Sequence, residues 1–264
     1  MFIDPHVHMY SRTTDDYEKM ILSGIKTVIE PSFWLGQART SSKTLIDYWE
    51  YLINFERARA REFGINHYCA ISVNPKEANN SQLANESLDV MANYLSKEGV
   101  VAVGEIGFDM ITKEEEKVFA RQLVMAEELK MPVIIHTPHI NKVEGIKKTF
   151  DIIKNCNATK SRIIIDHNTE ETIELSLSYD VIAGITVYPY TKVSSIRAVN
   201  MLKKYGTDRI LINSSADWGV SDPLSVPKTA IQMEKDGFSK NEIEQLLFHN
   251  PNNFFKQSKN YVPL

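Results

Sequence analysis

The chain has little cysteine, no long apolar run and no excess of positive charge, and each shortage removes a class of protein. Its two cysteines, Cys69 and Cys156, lie far apart and form no CxxC pair, so a disulfide framework is excluded and both are expected as buried thiols in a reducing compartment. No stretch approaches the roughly 18 apolar residues that a membrane span requires, and no basic segment followed by an apolar core opens the chain, so a cytoplasmic protein is expected. With 34 acidic against 30 basic residues and a net charge of -4, nothing attracts a polyanion globally. That disfavours nucleic acid and favours a small-molecule partner. Arg57, Arg59 and Arg61 fall along one predicted helix and read as a solvated face. Glycine-rich phosphate loops of Walker or Rossmann form are missing, as is the GxSxG elbow of serine hydrolases, which leaves Ser214 and Ser215 as nucleophiles on paper only.

What is present is a regular alternation. At 264 residues and 43% hydrophobic composition the chain can bury a large core, and residues 1–264 are expected to form one domain. Apolar runs at 2–7, 26–30, 67–73, 100–105, 133–136, 162–166, 181–187 and 209–213 read as eight strands. Amphipathic stretches between them read as helices, three of which stop at Gly24, Gly64 and Gly99, where a left-handed residue is favoured. Strands alternating with helices imply parallel βαβ units, and eight of them predict an α/β fold of the closed (β/α)8 TIM-like kind, with an open doubly wound sheet as the alternative. A last amphipathic segment, 240–256, is expected to close the barrel wall. In such a barrel, chemistry belongs at the C-terminal ends of the strands.

The metal-ligating residue types fall at those ends. In "DPHVH", His6 and His8 are two residues apart, so an extended backbone turns both to one face about 6 to 7 Å apart, within reach of one ion. Glu105 ends the fourth strand, His136 the fifth and His167 the sixth, and Asp217 follows the eighth. Four of the seven histidines therefore sit at predicted strand ends. Several imidazoles with a bridging carboxylate are what a two-ion site needs.

"DPHVH", "GEIGFD", the strand-ending "IIH" and the late histidine together resemble the TatD-related metal-dependent hydrolases of the amidohydrolase superfamily. "EPSFWLGQARTS", "NPKEAN", "HTPH", "DHNTEET" and "SSADWGVSDPL" further resemble the TatD-like proteins of bacterial Ebo-type secondary-metabolite clusters. The resemblance implies a TIM-like barrel with His6, His8, Glu105 and Asp217 around one divalent ion, and Glu105, His136 and His167 around the other. Zinc is the first expectation, with manganese, iron and magnesium as alternatives.

Three departures from the commoner pattern stand out. "ISVNPKE" offers Asn74 where a histidine is usual, "HTPH" supplies Pro138 and His139 where an arginine often follows, and a gapless match of "RILINSSAD" puts Ser215 at the expected aspartate. Asp217 has the same strand parity as Ser215 and is the expected ligand and general base, with Asp222 as fallback. Asn74, His139, Trp34, Arg39 and Trp218 are expected to contact substrate, with Tyr188, Tyr190 and Lys192 on a rim. Asp4 and Asp166 read as hydrogen-bonding supports, and Glu170 and Glu171 as helix-opening acids.

The expected activity is hydrolysis of a phosphoester, or another ester, of a small metabolite by a metal-bound hydroxide, with Glu105 and Asp217 as catalytic residues. A TatD-like deoxyribonuclease is one alternative. A metal-binding barrel that serves a biosynthetic assembly without catalysis is the alternative of another class.

Overall fold

The computed structural model describes residues 1–264. Eight parallel strands follow one another around a barrel in sequence order: β1 (Phe2–Asp4), β2 (Ile25–Pro31), β3 (Asn66–Ile71), β4 (Val100–Gly107), β5 (Val133–His136), β6 (Ile163–Ile165), β7 (Ile182–Thr186) and β8 (Ile210–Asn213). Helices separate them, as the expected (β/α)8 fold requires. Gly24, Gly64 and Gly99 all adopt positive φ, at 90°, 75° and 85°. No helix is long and apolar enough to cross a membrane.

The seam between β1 and β8 is closed just beyond the regular ladder. His8 N–H donates to the Ala216 carbonyl at 2.8 Å, and Ser215 N–H to the His6 carbonyl at 2.8 Å. The buried Asp4 carboxylate accepts from Ser214 Oγ at 2.5 Å and from Ser214 N–H at 3.2 Å. Asp4 is thus an inter-strand clasp. β1 pairs only as far as Asp4, short of the expected residue 7, yet His6 to His8 stay laced between β2 and β8, because Val7 N–H also reaches the Ile29 carbonyl at 3.1 Å.

Two apolar layers hold the barrel. Inside it, Ile29, Tyr68, Val101, Ile134, Ile164 and Leu211 pack with Phe254, Phe255 and Tyr261. The C-terminal segment therefore does more than extend the wall: Ile243, Leu246 and Leu247 join the wall, while Phe254 and Phe255 reach the interior cluster. Burying Phe255 completely contributes about 1.5–3 kcal/mol. Outside the barrel the helices shed their apolar faces onto β3 to β6 and onto β7 and β8.

Side-chain oxygens set several helix starts. Thr112 caps the helix Lys113–Glu128 in a reciprocal box with Glu115. Asn80 caps the helix Ser81–Leu95, its Oδ1 accepting from Leu83 N–H at 3.2 Å. The helix expected from Glu170 begins at Ile173, and Glu170 instead grips Arg197 at 2.7 and 2.8 Å.

Candidate metal centre

The apolar strands fix the backbone, and what their ends present is polar. Glu105 Oε1 lies 2.8 Å from His136 Nδ1, 2.9 Å from His167 Nε2 and 3.7 Å from His6 Nε2. His6 Nε2 and His8 Nε2 face each other at 3.1 Å. One carboxylate oxygen and imidazoles from the ends of β1, β5 and β6 therefore converge, and His6, Glu105 and His167 alone offer three ligand atoms within 4.8 Å of one another. Phe33 stacks on His8 with ring centres 4.0 Å apart, sealing its outer face.

A second layer sets the tautomers. Asn213 Nδ2 donates to both Asp166 oxygens at 2.9 and 3.0 Å, and Asp166 Oδ2 lies 2.6 Å from His6 Nδ1. Since a carboxylate only accepts, His6 carries its proton on Nδ1 and turns the Nε2 lone pair toward the cluster. Thr186 Oγ1 donates to Asn213 Oδ1 at 2.9 Å and so accepts from His167 Nδ1 at 2.6 Å, which turns His167 Nε2 toward Glu105. Gly184 makes room for this layer, because a Cβ there would collide with the Asp166 carboxylate. His167 itself holds φ at 58°, pinned by its N–H on Asp166 Oδ1 at 2.7 Å.

Electrostatics follow the same division. Burial alone would raise the Asp166 carboxyl, but the charges and hydrogen bonds of His167 and His6 outweigh it and hold it far below the usual range. Glu105 is likewise held well below its ordinary value, because His136, His167 and His6 outweigh its burial. Burial pushes His8 and His167 well below 6.5, the direction that favours a neutral ring.

The donor set fits a divalent ion. His136 Nε2 is buried without a hydrogen-bond partner, an unusual cost unless something else satisfies that ring. Ligand atoms on a tetrahedral ion with bonds of about 2.0–2.1 Å lie about 3.3 Å from one another, close to the His6–His8 separation.

The chain matches the family model described as TatD related DNase over residues 3–256. It belongs to the TatD family. It is 32% identical over 257 residues to an uncharacterized metal-dependent hydrolase of Methanocaldococcus jannaschii, covering 96% of this chain and 99% of that protein. A human 3'-5' RNA nuclease is 27% identical over 158 residues, 55% of this chain and 19% of that protein. Among solved structures, a TatD-like protein from Archaeoglobus fulgidus superposes with a TM-score of 0.81 at 26% identity, over 97% of this chain and all of that one. This TatD-family chain is therefore a metal-dependent hydrolase.

The remaining expected residues of this TatD-family site divide three ways. His139, Trp34 and Trp218 line a cavity of about 360 Å³ above the cluster, together with Ser215, Asp217 and Lys192. Asp217, expected as a metal ligand, is on that wall but outside the imidazole cluster, its Oδ1 instead accepting from Tyr188 OH at 2.9 Å and Gly219 N–H at 2.7 Å. Two substrate assignments need correction. Asn74 is buried and spends its amide on Glu105 Oε2 at 2.9 Å and on capping Lys76 N–H at 3.1 Å, so it positions the carboxylate. Arg39 is buried against Glu77 and donates to the Thr44 carbonyl at 2.8 Å, away from the cluster. Asp222 caps Leu224 N–H at 2.9 Å and pairs with Lys228, which removes it as a ligand. Thr186, Asn213 and Lys142 were not singled out in the sequence. The first two end β7 and β8, so strand-end position was the available signal. Lys142 opens a helix, and only the fold shows which way it turns.

Proposed function

We propose that this TatD-family hydrolase cleaves a phosphoester of a small metabolite, with two divalent ions, zinc first, held by His6, His8, Glu105, His136 and His167. The observation that carries it is the single oxygen of Glu105 shared among imidazoles from three strand ends. When bound, the ions lower the pKa of water toward neutrality and polarise the scissile oxygen. The chain's own residues do the rest. Asp166 and Thr186 aim His6 and His167, and Asn74 holds Glu105. Asp217 receives the proton of the attacking water and returns it to the leaving alcohol as the P–O bond breaks. Trp34 and Trp218, with ring centres 5.9 Å apart, give the cavity an apolar wall against which a small organic leaving group packs. The stretches that resemble the Ebo-type cluster proteins support a metabolite of secondary metabolism.

A nuclease reading has a specific support of its own, the DNase family description and the human RNA nuclease relative. The net charge of -4 weighs against it. The test is metal content by elemental analysis, followed by turnover of bis(4-nitrophenyl) phosphate, single-stranded DNA and a lactone panel. Metal uptake with turnover of the small phosphodiester and none of DNA is the expected result. Preference for DNA establishes the nuclease, and full metal loading with no turnover of any ester points to a binding barrel. Failure to take up zinc or manganese sinks the proposal.

A further inference from the structure

The cavity above the cluster continues sideways into a chamber of about 200 Å³, and the two share His139, His167, Thr191 and Lys192. The chamber opens in turn, past His139 and Lys142, into an outer vestibule of about 700 Å³. In a chain of net charge -4, no aspartate or glutamate lines this chamber. Two of its three cations make no ion pair. Lys142 Nζ donates only to neutral oxygens, Thr137 Oγ1 at 2.8 Å and the His167 carbonyl at 3.0 Å. Lys192 has no carboxylate within ion-pair distance and lies 4.9 Å over the Tyr188 ring. Arg197 at the outer edge is already neutralised by Glu170. The helices Lys142–Asn155 and Ser195–Tyr205 begin at the chamber wall and add the positive ends of their dipoles.

We infer that Lys142 and Lys192 form a recognition subsite for a second anionic group of the substrate, a phosphate or carboxylate separate from the ester being cleaved. Two neighbouring ammonium groups that make no ion pair are costly in a partly buried site, and a bound anion relieves both. This inference rests on the hydrolase reading for where the ester lies, but the chamber can be tested without turnover.

The experiment compares, by calorimetry on metal-loaded protein, inorganic phosphate and a single-stranded trinucleotide with two probes bearing two anionic groups, 3-phosphoglycerate and propane-1,3-diol bisphosphate. A two-headed probe is expected to bind at least about tenfold more tightly than phosphate. That gain should vanish in Lys142→Met and in Lys192→Met, while metal content and phosphate affinity stay as in wild type. A gain with the bisphosphate alone identifies the second group as phosphate, and a gain with both identifies any anion. Equal affinity for phosphate and both probes, or a gain that survives both substitutions, overturns the subsite. A gain confined to a single-stranded trinucleotide overturns it in favour of a nucleic-acid strand. If no ester turns over but the gain persists, the hydrolase reading fails and the subsite stands.

Discussion

Glu105 and Glu30 are both fully buried glutamates near the C-terminal ends of strands, and both touch histidine. Glu105 turns into the barrel mouth, where three imidazoles hold its carboxyl down. Glu30 turns out of the barrel toward the helices. Its Oε1 accepts from Tyr10 N–H at 2.9 Å and its Oε2 lies 2.7 Å from His67 Nε2. Although that is ion-pair distance, burial, with Glu56 nearby, pushes Glu30 well above its usual value, and burial pushes His67 down to about 4. The outer pair is a neutral hydrogen bond, and the inner cluster is a charged carboxylate held among imidazoles. Parity along the strand, not residue type, separates a ligand candidate from a structural contact.

The sharpest way to break this comparison is to make the same substitution twice. Glu105→Gln removes the shared negative oxygen and is expected to abolish metal retention and turnover with the far-ultraviolet spectrum unchanged. Glu30→Gln mimics the protonated carboxyl already present and should leave metal content and activity at pH 7.5 near wild type. Loss of metal in both variants, or in neither, would erase the distinction.

Asp217→Asn comes next. It is expected to lower kcat by about 10²–10⁴-fold with metal content intact, as removal of a proton acceptor should. Near-normal turnover would end the role given to Asp217.

The outer pair makes a pH prediction. Between 4.5 and 6.5 the unfolded chain carries one proton on this pair, on the imidazole, and the folded chain also carries one, on the Glu30 carboxyl. The wild-type pair therefore adds no slope in that window. In Glu30→Gln only His67 remains, with a folded pKa of about 4 against 6.5. The variant keeps its stability above pH 6.5 and loses up to about 3 kcal/mol relative to wild type as pH falls toward 4. Urea midpoints at pH 7.5, 5.5 and 4.5 measure it, and parallel curves for the two proteins would refute a neutral pair.

The mildest change is Asp166→Asn, which leaves every inner residue in place but weakens the bond that orients His6. Metal affinity is expected to fall about 10–100-fold, read by competition with a chelator. An unchanged affinity would make the second layer ornamental.

Much of this was legible because strand periodicity is local. Alternating apolar runs marked all eight strands, and the histidines stood out by following them. Strand ends were less legible: β1 stops at Asp4 because its last contacts are a side-chain clasp and isolated bonds to β2 and β8. The roles of Arg39 and Asn74 were also misplaced. Each side chain's partner, Glu77 for the one and Glu105 for the other, lies more than thirty residues away. Loop residues have no periodicity from which their direction can be read.

By itself, then, the sequence determined the alternation of strands and helices and the type and position of the residues gathered at one end, since both follow from spacing along a single segment. Only the tertiary structure decided that Asp166, Thr186 and Asn213 orient His6 and His167, that Glu30 faces away from Glu105, and that Lys142 and Lys192 share a chamber without an ion-pair partner. These facts depend on which side chains from distant segments meet, and no local pattern encodes that meeting.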